Sequence, residues 1–432
     1  MGGTKRYFEK LQAERRGGVS DKYVCAGCFD DYAIEDYITT NASVCECSYC
    51  GRVSDEKIAA DANEVFSFIA KGINREYEDP ANEVPYDSSE GGYLVAPTDG
   101  WDLICDLGIV KDGRGFNDLF NDLCKEFGDN AYVHHDPLGS TESESLRFSW
   151  RQFCNMVKHE KRFVFYRSND DEHKGDDSNY YADDEPPVHA ILDGLAHLVT
   201  SHDLITKKES GHTFVRARQH PGKVTFTEAC QLGAPPAACA KQSRMSPAGI
   251  PMFYAAENEM TAFIETYDAS DIENDAMTFG FFAAKRPLVF INLENIPPAP
   301  SLFDEGQHHL MHQLRFLNEF SRDISKPVTR TGEAHHYKYV PTQIIAEYFR
   351  WIFRTADGSR VDGIQFKSSR PYAGTCYCIF ADEYNCVDKD WETKVKRTDV
   401  WRIKPMLELK SSRKEDPSKL KTEPTFRLLY SE

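Results

Sequence analysis

The chain of 432 residues carries 51 lysines and arginines against 69 aspartates and glutamates, for a formal net charge of −18. That length suffices for two or three domains with cores of their own. The acidic balance speaks against sequence-independent nucleic-acid binding, which relies on basic patches to displace counterions. It leaves room for a nucleotide pocket, which needs one or two local arginines.

No apolar run approaches the roughly 20 residues of a membrane helix. The opening MGGTKRYFEK lacks the apolar stretch of a secretory signal, and Arg6 stands where a myristoylation motif needs Ser or Thr. The 13 cysteines are an odd number for a disulfide framework, so the expected compartment is the cytoplasm, with no membrane association.

In chain order, the first feature is a pair of knuckles, Cys25-x2-Cys28 and Cys47-x2-Cys50, separated by eighteen residues. Two such pairs place four thiolates at the corners of a tetrahedron, which predicts a zinc ribbon over residues 1–55. The zinc is structural, because four thiolates fill its coordination sphere. Cys45 is an extra thiol able to replace Cys47.

Residues 56–205 read as a helical domain. Val65, Ile69 and Ile73 share one helical face, as do Phe116, Leu119, Phe120, Leu123 and Phe127, and again Val188, Ile191, Leu192, Leu195, Leu198 and Val199. The stretch NDDEHKGDDSNYYADDEPP reads as a solvated acidic loop.

From residue 206 to 400 the pattern changes to a mixed α/β domain, so the whole chain is expected to be α+β. Strands are predicted at Thr213–Val215, Met252–Ala255, Leu288–Leu293, Ile364–Phe366 and Tyr377–Phe380. A helix is predicted from Pro341 to Phe353, with Ile345, Tyr348, Phe349 and Ile352 facing inward. Residues 401–432 read as a charged tail.

Four segments of this domain carry polar residues suited to chemistry. TFVRARQ places Arg216 and Arg218 on one face of a strand, because side chains alternate. RMSPAGIPMFYAAENEMTAFIE joins Arg244, a Pro/Gly turn and a strand ending in Tyr254 to a helix capped by Asn258 and carrying Glu265. YVPTQIIAEYF sets Gln343 and Glu347 one turn apart. DGIQFKSSRPYAG feeds Ser368 into a Gly-containing turn. Each alone is also what surface ion pairs and turn serines look like.

Taken in order, VRAR, RMSPAGIPMFYAAENEMTAFIE, GIQFKSS and GTCYCIF resemble the motifs of the RES domain, over about 210–390. Met245 and Ser246 depart from it, where an aromatic and an Asn are usual. The front half, with segments such as FSWRQFCNMVKH, resembles the HEPN-type domain found fused to RES domains. Arg151 and His159 miss the spacing of HEPN ribonucleases, so that activity is not expected.

The resemblance implies a fold related to ADP-ribosyltransferases and cleavage of the nicotinamide–ribose bond of NAD, by hydrolysis or phosphorolysis, in a toxin or antiphage effector. It implies Glu265, Arg216 and Ser368 as catalytic residues and Arg244, Tyr254 and Arg218 as residues that bind the dinucleotide. An antitoxin or regulatory protein and a second copy of the chain are the partners it suggests. The competing readings are an ADP-ribosyltransferase acting on a macromolecule and a zinc-containing adaptor that binds nucleotide without turnover. Neither GxxxxGK[ST] nor GxSxG occurs. His308 and His312 stand one helical turn apart without the Glu of HExxH, and read as polar-face residues. Cys376 and Cys378 read as packing residues.

Overall fold

The computed structural model describes residues 21–89, 91–128, 130–137, 139–164, 190–326, 335–394 and 403–420. The start of the chain, Val188 and the acidic stretch before it, and the end of the expected tail lie outside the described residues. The chain divides into two compact units, residues 1–144 with 298–315, and residues 145–297 with 316–432.

In the first unit Tyr23–Cys25 pairs antiparallel with Ala59–Asp61. Asp31 caps the helix Tyr32–Asn41, its carboxylate accepting from the amides of Ala33 and Ile34. Asp61 caps the helix Ala62–Ile73 in the same way. A carboxylate at this position answers amides that have no partner inside the helix.

The expected faces are the ones buried: Val65, Ile69 and Ile73 on one helix, and Leu119, Leu123 and Phe127 on the helix Phe116–Phe127. They share a single core with Cys25, Cys28, Cys47, Phe29 and Phe303. The cysteine segment is therefore built into the helical layer. Gly72 makes room for Phe303, since a Cβ there would lie 2.3 Å from the ring.

The second unit is organised on a nine-stranded mixed sheet. Its strands are β1 (Ile205–Lys208), β2 (Thr213–His220), β3 (Phe253–Ala256), β4 (Ala276–Ala284), β5 (Leu288–Asn292), β6 (Gly363–Lys367), β7 (Thr375–Ile379), β8 (Cys386–Asp388) and β9 (Leu407–Glu415). They lie in the order β8-β9-β4-β2-β3-β7-β6-β5-β1. Only β5–β6 and β8–β9 run parallel; the other neighbours are antiparallel.

The five predicted strands are present, and β1, β4, β8 and β9 are four that the pattern did not reveal. The run AMTFGFFAA of β4 is buried almost throughout and so lacks alternation. The strand β9, LELKSSRKE, lies within the segment read as a charged tail and is buried only in its first third.

One face of the sheet carries Phe214, Phe253, Phe282, Phe290, Tyr377 and Ile379. The opposite face carries Val215, Ala217, Ala256, Met277 and Phe279, covered by Ala262 and Phe263 of the helix α2 (Glu259–Thr266). Two further helices matter here, α1 (Ala190–Ser201) and α3 (Val340–Trp351), joined by the Tyr348 hydroxyl donating to Asp193 at 2.6 Å.

The helix α1 buries Ile191, Leu192, Leu195, Leu198 and Val199 as expected, but within this second unit. In α3, Ile345, Tyr348 and Phe349 are buried, whereas Ile352, expected inward, is exposed because the helix ends one residue before it.

Candidate active site and metal centre

The predicted unit around Arg244 forms as a strand, a cap and a helix. Asn258 adopts extended backbone and its side chain accepts from the Thr261 amide at 2.9 Å, starting α2 directly after β3. Thr261 and Glu265 are one turn apart and hence on one side of the helix. The buried Thr261 hydroxyl accepts from the Gly374 amide at 2.9 Å. This ties α2 to the loop between β6 and β7, and Ser368 opens that loop.

Ser368 is buried and donates to Oε1 of Glu265 in a short hydrogen bond. Its Oγ also accepts from the Arg370 amide at 3.0 Å, and its own amide donates to the Gly374 carbonyl at 3.0 Å. The serine is thus held from three directions.

Arg244 joins the same group. Its guanidinium stands 5.8 Å from the ring centroid of Phe366, which pairs with Cys376 across β6 and β7. The Cys376 thiol is pushed up first by burial and then by the charge of Glu265, while Arg244 acts the other way. Both charges therefore act on one thiol.

The loop that carries Arg244 is anchored by α3. Thr342 donates to the Arg244 carbonyl, and the buried Gln343 donates to the carbonyls of Ser243 and Ser246 at 2.9 and 3.3 Å. The sequence singles out Gln343, and its place is to hold this loop.

Tyr254 lies on the same sheet face as Cys378 and Ile364, through the pairs Tyr254↔Cys378 and Ile364↔Cys378. Its hydroxyl accepts from Ser243 Oγ at 2.5 Å and from the Met245 amide at 3.2 Å, and it is 3.1 Å from Ser246 Oγ. Burial, above all, pushes its ionisation up. Met245 and Ser246, where the motif departs from its usual residues, are both buried, and both serve to fix this hydroxyl. Gly249, at φ +84°, supplies the left-handed turn that returns the chain to β3.

Arg216 and Arg218 are placed differently. The pair Ala256↔Val215 puts those two residues on the α2 side of the sheet, so Arg216 and Arg218 face away from it. Arg216 donates to the Tyr254 carbonyl at 3.3 Å and lies 5.1 Å over the ring of Phe253. Burial pulls its pKa down, and the neighbouring Arg218 does so further. Arg218 stacks on Phe226 at 4.6 Å and donates to the Gln231 carbonyl. The structure thus joins Ser368 to Glu265, sets Arg244 against Phe366 on the sheet face that Tyr254 shares, and leaves Arg216 and Arg218 on the other face.

In the first unit, the Sγ atoms of Cys25, Cys28, Cys47 and Cys50 all lie within 4.8 Å of one another. The close pairs are 3.7 Å for Cys25–Cys28, 3.6 Å for Cys25–Cys50 and 3.7 Å for Cys28–Cys47. Sulfurs about 2.3 Å from a tetrahedral ion stand about 3.8 Å apart, so the four cysteines fit a metal ion. Hydrogen bonds with Cys25 and Cys47, together with burial, hold the Cys28 thiol far above its ordinary range. Cys45 is exposed and outside the cluster.

Among the described residues, no other group of His, Cys, Asp or Glu closes to this geometry. His308 and His312 instead share the Glu76 carboxylate, at 2.8 and 3.1 Å.

With this geometry in place, two family models match the chain: the HEPN/RES N-terminal domain 1 over residues 40–171, and the RES domain over residues 213–397. The chain is a RES domain protein with an N-terminal HEPN/RES-type domain. No curated protein and no solved structure matches it.

Proposed function

We propose that the second unit cleaves the nicotinamide–ribose bond of NAD. The observation that carries this reading is the Ser368–Glu265 hydrogen bond beside Arg244. Ser368 bonds that carboxylate directly, and Arg244 acts on the same Cys376 thiol as Glu265 does. Cleavage passes through an oxocarbenium-like state at the ribose anomeric carbon. The Glu265 carboxylate, its orientation set by Ser368, stabilises that positive charge and orients the attacking group. Nicotinamide departs with the bond's electron pair as a neutral molecule, so no strong general acid is needed. Water or phosphate then bonds to the anomeric carbon and gives up its proton.

Arg244 supplies a planar cation for a phosphate of the dinucleotide. Arg216 acts as a positioning residue, holding the strand of Tyr254 by its carbonyl, and Arg218 flanks it. In this reading the enzyme depletes NAD as a toxin or antiphage effector, restrained by an antitoxin or regulatory partner, in the cytoplasm and as a homodimer.

Zinc is the ion we assign to the four cysteines, in a structural role. Where it binds, it ties Cys25 and Cys28 to Cys47 and Cys50 and leaves no open position for substrate.

The test is incubation of the purified chain with NAD, with and without phosphate. Free ADP-ribose indicates hydrolysis, and a phosphorylated ADP-ribose indicates phosphorolysis. Label transferred to protein or nucleic acid indicates an ADP-ribosyltransferase. Unchanged NAD overturns the reading in favour of a binding adaptor.

A further inference from the structure

The loop that follows Ser368 contains a residue the proposed chemistry leaves unused. Tyr372 has φ +62°, in the left-handed region, and its side chain is 63% exposed. A bulky residue in that conformation is an outlier that persists only where its surroundings over-determine it.

The surroundings here do so. The Arg370 amide donates to Ser368 Oγ at 3.0 Å, and the Ala373 amide to the Arg370 carbonyl at 3.3 Å. The Gly374 amide donates to Thr261 on α2 at 2.9 Å. The turn is therefore fastened to the two elements that hold Ser368 and Glu265. Among the described residues the Tyr372 hydroxyl has no hydrogen bond and its ring has no aromatic or cationic neighbour. Arg370, in the same turn, is exposed and has no ion pair among the described residues.

A glycine would take this turn without strain and without presenting a ring to solvent. We propose that Tyr372 is the stacking residue for the nicotinamide ring, held over the scissile bond by the turn that begins at Ser368. The inference rests on the reading of the site as an NAD-cleaving centre. The family resemblance implies Tyr254 as a dinucleotide-binding residue, but the Tyr254 hydroxyl is committed to Ser243 and Met245 in the sheet layer. Tyr372 is the exposed ring at the same loop. Stacking of a base on an aromatic side chain corresponds to roughly a 5- to 150-fold change in binding.

The experiment compares the wild-type chain with Tyr372→Ala, Tyr372→Phe and Tyr372→Gly, using NAD and nicotinamide mononucleotide as substrates. The expected result is a rise in KM of about tenfold or more for both substrates in Tyr372→Ala, with recovery in Tyr372→Phe. Tyr372→Gly should show the same rise in KM while its Tm does not fall, which separates loss of stacking from loss of fold. A KM unchanged by Tyr372→Ala, or raised for NAD alone, overturns the assignment to nicotinamide while leaving the NAD-cleaving reading in place. A wild-type chain that consumes neither substrate overturns both.

Discussion

Ser368 donates its hydroxyl hydrogen to the carboxylate of Glu265 across 103 positions of sequence. The same serine oxygen accepts from the Arg370 amide, so one lone pair is engaged there while its proton goes to the carboxylate. Glu265 is thereby held as an oriented acceptor of Ser368. An exposed glutamate on a helix would sample many rotamers.

The first prediction concerns this pair. Glu265→Gln keeps the shape and removes the charge, and is expected to lower the rate of NAD loss by about 10²–10³-fold. Ser368→Ala leaves the charge but frees its orientation, and is expected to cost about tenfold or more. NAD consumption measures both, with circular dichroism and gel filtration showing a native fold. Undiminished turnover by Glu265→Gln removes the proposed role.

The two arginines are expected to separate. Arg244→Ala should lose turnover with only a small fall in urea midpoint, because the anchors of its loop run through backbone carbonyls that alanine retains and only the contact with Phe366 is lost. Arg216→Ala should lower stability as well, by about 2 kcal/mol, through a lost hydrogen bond and a lost cation–π contact. Equal loss of stability in both variants contradicts this division.

For the cysteine cluster, elemental analysis is expected to find one zinc per chain. Cys28→Ser or a strong chelator should destabilise the first unit, whose core includes Cys25, Cys28 and Cys47. Cys45→Ser should retain the metal, because Cys45 lies outside the cluster. Loss of zinc in Cys45→Ser would show that the sulfurs are wrongly paired.

A pH effect follows from β9. Glu408 is buried beside Ala283, and Lys285 at 2.7 Å, then Lys410, holds its carboxyl below the ordinary 4.5. A folded-state pKa below the unfolded one means this stability is present above about pH 4.5. It is lost as pH falls through the lower folded value. Both lysines are exposed, so the contribution is about 1 kcal/mol. Glu408→Gln should lower stability at pH 7 and flatten the acid limb of the stability curve, as followed by thermal melts from pH 3 to 7.

The local devices of this protein were legible in its sequence. The helix at Asn258 begins where a capping side chain precedes an apolar run, and the apolar spacing of Val65, Ile69 and Ile73 marks a buried face. The CxxC knuckles are short-range geometry, and so is the common face of Arg216 and Arg218, since a strand alternates whatever its neighbours. The ordered polar segments marked Arg244, Glu265 and Ser368 as candidates.

Parity along one strand does not say which face is which. That depends on register between strands, and here Ala256↔Val215 turned Arg216 away from Glu265, while Phe366↔Cys376 set Phe366, on which Arg244 rests, beside the thiol that also feels Glu265. The strand β4 hid because burial on both faces erases alternation, and β9 because most of its side chains reach water. The choice of Cys47 over Cys45 is likewise tertiary. Both thiols are available along the chain, but only Cys47 folds inward onto the other three. Local spacing determined the parts and their chemistry. Long-range hydrogen bonding decided which of them meet, because it alone fixes distances between residues a hundred positions apart.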